Sequence, residues 1–378
     1  MRSIIFILML AVYGLLNYYV GSRGLNSIGA KFSVNKAVYW GILCIFAVMY
    51  FVSMLGKSWL PKGVDLLLGK IGGYWLAAFV YFVVFVFVID IFKFLGKKLN
   101  VVPDALKNNT WFIAICVVAA VAVILIIGTY NAIVPKVVHY DVSIEKKSDL
   151  KELKCAMISD VHLGDSIGKD RLHNAVRIIN GLNADLVVIA GDLIDNEIEP
   201  VENGNMLEEL KGIKSKYGVY AIMGNHEYYA SKTEEIQQLI ENNSVKVLRD
   251  KSIVINNSFC LVGREDVVAD TYGYKRKELK DILNDADKRL PVIVLDHQPK
   301  ILDEPRKAGV DLQLSGHTHA GQFFPVSLFT HMMYEEDHGY LKNGKFNLIV
   351  SSGYGTWGPT VRIGSQSEIL DIDIKFAQ

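Results

Sequence analysis

Two hydrophobic patterns divide this chain. Four stretches near the front carry no charged residue over a spanning length: 3–22, 37–56, 71–89 and 108–135. About 20 apolar residues cross a bilayer as helix. Trp40, Tyr50, Tyr74, Trp75, Trp111 and Tyr130 lie near the ends of these runs, where aromatic rings favour the lipid–water boundary. The pattern predicts four transmembrane helices, about 3–22, 37–56, 71–92 and 110–131, forming a region 1–136. From Val138 the period changes. Val138, Tyr140, Val142 and Ile144 alternate with His139, Asp141 and Ser143, as in a half-buried strand that opens a second domain, 137–378. Leu172, Val176 and Ile179 mark one face of a helix over 169–180. Short apolar runs end at Ile158, Ala190, Met223, Leu295 and Leu314, with further strands at 245–248, 253–255, 259–262, 346–350 and 369–374. Ser231 and Glu234 have capping-box spacing for the start of another helix. A charged helix is expected over about 277–287, and 323–345 reads as an irregular surface segment. Strands alternating with helices predict an α/β domain.

Charge follows the same division. Residues 1–136 carry 12 Lys and Arg against 3 Asp and Glu, while the remainder carries 28 against 37. The balanced total hides a basic membrane half and an acidic second half. Acidic surface argues against nucleic acid as a partner, since phosphate-backbone binding needs basic surface. Lys and Arg divide almost evenly between the two sides of the membrane. Arg2 beside a short N-terminal tail tips the reading toward a cytoplasmic N-terminus and, with four spans, a cytoplasmic second domain of a multi-pass cell-membrane protein. Asp90 is placed to pair with Lys93 at i+3. Four cysteines without a CxxC pair indicate neither a zinc ribbon nor a disulfide framework.

The chemistry gathers where strand-like runs end. Five of them run into small polar clusters: Asp160 and His162, Asp192, Asn225 and His226, His297, and His317 and His319. These take five of the nine histidines in the chain. Any one such residue commonly caps a turn or is simply hydrogen-bonded. Jointly they form one plausible ligand set, because ligands in α/β sheets gather beyond the carboxyl ends of strands. Carboxylate, amide and imidazole without thiolate suit Mn, Fe or Zn in a reactive site. The number of groups exceeds what one ion needs and suits two.

In this order, Asp160-x-His162, Gly191-Asp192, Gly224-Asn225-His226-Glu227, His297 and Gly316-His317-x-His319 resemble the calcineurin-like metallophosphoesterase superfamily. The multi-helix front resembles its membrane-anchored members. The resemblance implies a four-layer αββα sandwich after the transmembrane region. It implies two divalent ions, with Asp160, His162 and His319 on the first, Asn225, His297 and His317 on the second, and Asp192 bridging them. His226 would face the substrate as the catalytic acid. Arg362, in a glycine-rich closing segment, would either approach the phosphate or brace its loop. The implied activity is hydrolysis of a phosphoester or pyrophosphate bond by a hydroxide held between the metals. The implied substrate is phosphorylated or pyrophosphate-linked, either a lipid, as in UDP-diacylglucosamine pyrophosphatase-like relatives, or a soluble molecule handled by an anchored enzyme. A membrane-anchored phosphate sensor or scaffold without turnover is the alternative. The complete ligand set favours the enzyme.

Overall fold

The computed structural model describes residues 2–99, 109–284, 287 and 289–378. Two compact units emerge: Met1–Thr129 with Gly358–Val361, and Tyr130–Trp357 with Arg362–Gln378. Asn108, at the head of the fourth apolar run, and residues 285 and 286 of the expected charged helix lie outside the described residues.

The first unit is helical: α1 (Arg2–Gly29), α2 (Lys36–Gly56), α3 (Lys62–Leu99) and the body of α4 (Thr110–Ile133). Asn35 starts α2 by accepting from the amides of Ala37 and Val38, which answers two of the helix's unpaired N–H groups. Among the described residues, three of the four expected spans are long and apolar enough to cross a bilayer: Lys36–Gly56, Lys62–Gly96 and Thr110–Ile133. The expected span 3–22 falls within α1 but is not one of these three; the side chains of Arg2, Ser3 and Ile5 in and beside it are outside the described set. Asp90 does not take Lys93 as its partner. It accepts from Tyr19 (2.6 Å) and pairs with Arg23 (2.9 Å) on α1, because the donors that reach it come from a neighbouring helix rather than from its own.

The second unit is built on two six-stranded mixed sheets. The first has the order β1 (Lys136–Lys147), β12 (Glu368–Ala377), β2 (Glu152–Ile158), β3 (Leu186–Ala190), β4 (Val219–Ile222) and β5 (Lys246–Val247). The second has the order β10 (Gly339–Asn343), β11 (Phe346–Val350), β9 (Leu312–Ser315), β8 (Val292–Leu295), β7 (Phe259–Gly263) and β6 (Lys251–Ile255). Strand periodicity explains the layering. On β2, Leu153, Cys155 and Met157 join Leu261, Ile293 and Leu314 of the other sheet in one core between the sheets. The intervening Ala156 and Ile158 face an outer core, where Leu172, Ala175 and Ile179 of α5 (Lys169–Leu182) pack. Leu279, Ile282 and Leu302 cover the opposite outer face, beside α9 (Leu279–Ile282) and α10 (Asp303–Ala308). Helix, sheet, sheet and helix form the four expected layers.

Local differences have local causes. The short helices α6 (Glu199–Asn203) and α7 (Asn225–Tyr229) follow β3 and β4. Helix α8 (Thr233–Glu241) begins after Lys232, so Ser231 is too early to cap it and sits instead at φ 56°. Among the described residues, the expected charged helix is helical only over α9. Within 323–345, helix α11 (Val326–Met333) and strand β10 replace the expected irregular segment. β10 takes its conformation from antiparallel pairing with β11, a partner that local sequence does not reveal.

Candidate metal centre

Strands β2, β3 and β4 run parallel, as do β7, β8 and β9, so their carboxyl ends can supply one site from both sheets. Asp160 and His162 follow β2, Asp192 follows β3, and Asn225 and His226 open α7 after β4. His297 follows β8, and His317 and His319 follow β9. Asp160, His162, Asp192, His317 and His319 all have positive φ, between 51° and 73°. Such backbone costs energy for a residue with a side chain, and it recurs where a turn must aim that side chain into a site. The motif glycines leave room for it. A Cβ at Gly224 would collide with the Asp192 carboxylate, and one at Gly316 with the Asp160 carboxylate.

Ligand atoms of Asp160, His162 and His319 lie within 4.8 Å of one another, and those of Asp192, His297 and His317 form a second such trio. In the first, the Nε2 atoms of His162 and His319 are 3.1 Å apart, with Asp160 Oδ1 3.4 Å from His319 Nε2. In the second, Asp192 Oδ2 is 3.1 Å from His297 Nε2. Asn225 Oδ1 lies 3.2 Å from His297 Nε2 and 2.8 Å from His317 Nδ1. Asp192 Oδ2 is also 3.9 Å from His162 Nε2, which puts this carboxylate between the trios. Burial, then the neighbouring His162 and Arg362, holds His319 well below the usual imidazole range. Burial and the nearby His297 push His317 down to about 3. Both are therefore neutral and keep a lone pair, the form in which imidazole binds a metal. His297 directs Nδ1 to the carbonyl oxygen of Ala190 at 2.8 Å, an orienting contact typical of ligand histidines. Burial raises Asp160, whereas Asp192 is held well below the usual carboxylate range because His297 outweighs its burial. Buried oxygen and imidazole donors converging this closely fit divalent cations.

That donor geometry accompanies a sequence match. The calcineurin-like phosphoesterase family matches residues 153–321. An uncharacterized metallophosphoesterase of Helicobacter pylori strain J99 is 30% identical over 97% of this chain and 96% of its own length. The chain belongs to the calcineurin-like metallophosphoesterase family. A transmembrane protein with metallophosphoesterase domain from Danio rerio is 30% identical over 80% of this chain and 72% of its own. With three bilayer-length helices and relatives of that kind, this metallophosphoesterase is a membrane protein.

His226 adjoins both trios. Its backbone N–H donates to Asp192 Oδ1 at 2.9 Å, and its ring centroid lies 4.5 Å from that of His162. Asp195, absent from the sequence-based set, lies 2.8 Å from His226 Nδ1 and 3.6 Å from His162 Nδ1. Burial pulls the His226 imidazolium down, but the bond to Asp195 and the field of Asp192 outweigh it and raise the group overall. Glu227 was also missed. Its buried carboxylate accepts from the amides of Asp192, Ile194 and Gly224 at 3.1, 2.9 and 2.7 Å, tying the β3 and β4 turns together. The signal for Glu227 was its place in the Gly224–Glu227 motif, and for Asp195 only its position three residues after Asp192.

Arg362 is fully buried. Its guanidinium donates to the carbonyl oxygens of Gly353 (3.2 Å) and Gly355 (2.6 Å) and to His319 Nδ1 (3.1 Å). This is the geometry of a brace, with the guanidinium aimed at the loop and at a candidate ligand.

Proposed function

We propose that the protein is a membrane-anchored, metal-dependent hydrolase of a phosphoester or pyrophosphate bond. The observation that carries this reading is Asp192, a buried carboxylate that belongs to one trio of metal-type donors and lies within 3.9 Å of His162 in the other. Asp160, His162 and His319 would hold one divalent ion, Asn225, His297 and His317 a second, and Asp192 would contact both. Bound Mn, Fe or Zn supplies Lewis acidity toward the phosphoryl oxygens and lowers the pKa of water toward neutrality. The chain's own residues supply the rest. Asp195 fixes one ring nitrogen of His226 and favours its protonated form, leaving the other nitrogen to donate a proton to the departing oxygen. Glu227 holds the Asp192 turn in place, and Arg362 holds His319 and the Gly353–Gly355 backbone.

The test uses the full-length protein purified in detergent and loaded with Mn, Fe or Zn, assayed on an aryl phosphomonoester, an aryl phosphodiester and a nucleotide pyrophosphate. Turnover of at least one, lost in Asp192→Ala, is the expected result. Metal binding with no turnover of any of the three would overturn the reading in favour of a phosphate-sensing role.

A further inference from the structure

Helix α11 is amphipathic the wrong way round for the surface of a domain bathed in water. Ser327 and Thr330 turn inward, while His331 is exposed. Thr330 Oγ1 donates to the Asp337 carboxylate at 2.6 Å, and the Ser327 N–H donates to the Phe323 carbonyl at 2.9 Å. Ser327 also lies against Gly321, where a Cβ would collide with it. Its apolar positions turn outward: Leu328, Phe329, Met332 and Met333 are 54%, 64%, 82% and 72% exposed. No residue of the helix is buried, and it carries no Asp or Glu. Exposed Phe324 just before it extends the apolar surface. A contiguous exposed apolar surface of this kind marks an interaction site.

The same unit shows what covers it. The last turn of α4, a helix of bilayer-spanning length, belongs to this unit and is held by the segment next to α11. Asn131 donates to the Arg362 carbonyl (3.3 Å), Ser367 N–H to the Asn131 carbonyl (3.0 Å), and Gln366 to the Val134 carbonyl (2.9 Å). Ile363, adjacent to Arg362, donates to the Gln322 carbonyl (2.8 Å) and accepts from the Phe324 N–H (2.9 Å). Two hydrogen-bonded steps, joined through the adjacent Arg362 and Ile363, thus connect the last turn of α4 to Phe324, two residues before the start of the inverted helix.

We propose that α11 seats its Leu328, Phe329, Met332 and Met333 face in the interfacial layer of the bilayer that α4 crosses. Interfacial helices bury an apolar face at the headgroup boundary in this way. The seating reaches the metal centre directly. His317 and His319 lie just ahead of α11 in the same chain segment, Thr318 donates to the Asp337 carbonyl, and the Tyr334 ring stands 6.4 Å from that of His317. The site therefore takes a phosphate carried at headgroup level by an amphiphile, a consequence that rests on the hydrolase reading above.

The test uses the full chain with Cys44 and Cys116, both exposed, replaced by Ala; Cys155 and Cys260 are buried. Met332→Cys and, as control, Lys342→Cys are each labelled with a fluorophore in phosphatidylcholine–phosphatidylglycerol vesicles. Lipids spin-labelled near the headgroup are expected to quench the label at 332 several-fold more than that at 342, while aqueous iodide does the reverse. Equal iodide quenching at both positions overturns the proposal, as does a 332–332 crosslink between copies without lipid quenching. A second arm compares Phe329→Ser with the parent on hexadecyl para-nitrophenyl phosphate in vesicles and methyl para-nitrophenyl phosphate in solution. KM is expected to rise about tenfold for the vesicle-borne ester alone. Equal losses on both esters overturn the delivery role. A parent inactive on both esters counts against the hydrolase reading, and the quenching arm still decides the seating.

Discussion

The two donor trios draw on the same residue types but differ in what stands behind them. Asp160, His162 and His319 are backed by a buried guanidinium: Arg362 donates to His319 and to the loop carbonyls, and Glu368 lends it favourable charge. Asp192, His297 and His317 are backed by a neutral group, the Ala190 carbonyl on His297, and are joined by the neutral Asn225 amide as a further candidate donor. A fixed positive charge behind the first trio offsets the single carboxylate in it, whereas the charge that chiefly acts on Asp192 is His297 within its own trio. The first trio is thus the more rigidly braced, and the second the better placed to hold a cation firmly. The comparison separates positional precision from affinity, two properties that a ligand tally treats as one.

The variant with the largest expected effect tests the joint between the trios. Asp192→Ala should lose at least about a thousandfold in kcat together with both metal equivalents, measured by elemental analysis; retention of one full equivalent would make the two trios independent. His226→Gln should lower kcat by about 10²–10⁴-fold with metal content unchanged, which keeps proton donation apart from either trio. His317→Ala is expected to weaken one equivalent by about a hundredfold and leave the other in place, read by competition with a chelator. If both equivalents leave together, the division between trios is wrong. Asp195→Asn should cost about tenfold in kcat with little change in KM, since Asp195 orients His226 rather than contacting either trio's shared carboxylate.

The smallest effect lies behind the first trio. Glu368 is buried; burial raises its pKa, but the His338 bond, the Ser352 amide and Lys136 outweigh that and lower it overall. A carboxyl whose folded pKa lies below its unfolded value contributes fully above the unfolded value, near 4.5, and loses that contribution as pH falls through the folded one. Glu368→Gln should therefore cost about 2 kcal/mol at neutral pH. The gap between the denaturation curves of the two proteins should close as the pH falls below that of the free carboxyl. A gap independent of pH would show that the carboxylate charge does not support Arg362 and the first trio.

Residues whose role is local were legible in the sequence. The apolar runs of α2, α3 and α4 follow from length and lack of charge alone, and α5 declares itself by its 3.6-residue period. The clusters after β2, β3, β4, β8 and β9 were visible because each ends an apolar run, and their assembly followed from the family's motif order. Glu227 was on view in the same motifs and Asp195 just after one, yet nothing in their spacing distinguishes a carboxylate that orients a histidine from one that caps a turn.

Sequence by itself thus determined the membrane region, the α/β class and the set of residues that come together, because hydrophobic period and motif order depend on neighbours along the chain. Tertiary structure alone decided that Arg362 reaches both the loop carbonyls and His319, that Asp90 pairs across helices, and that α11 shows its apolar face to the outside. Each of these is a question of direction. A period of apolar positions says that a helix has two faces; only the groups packed against it, here Asp337 and Gly321, decide which face turns in.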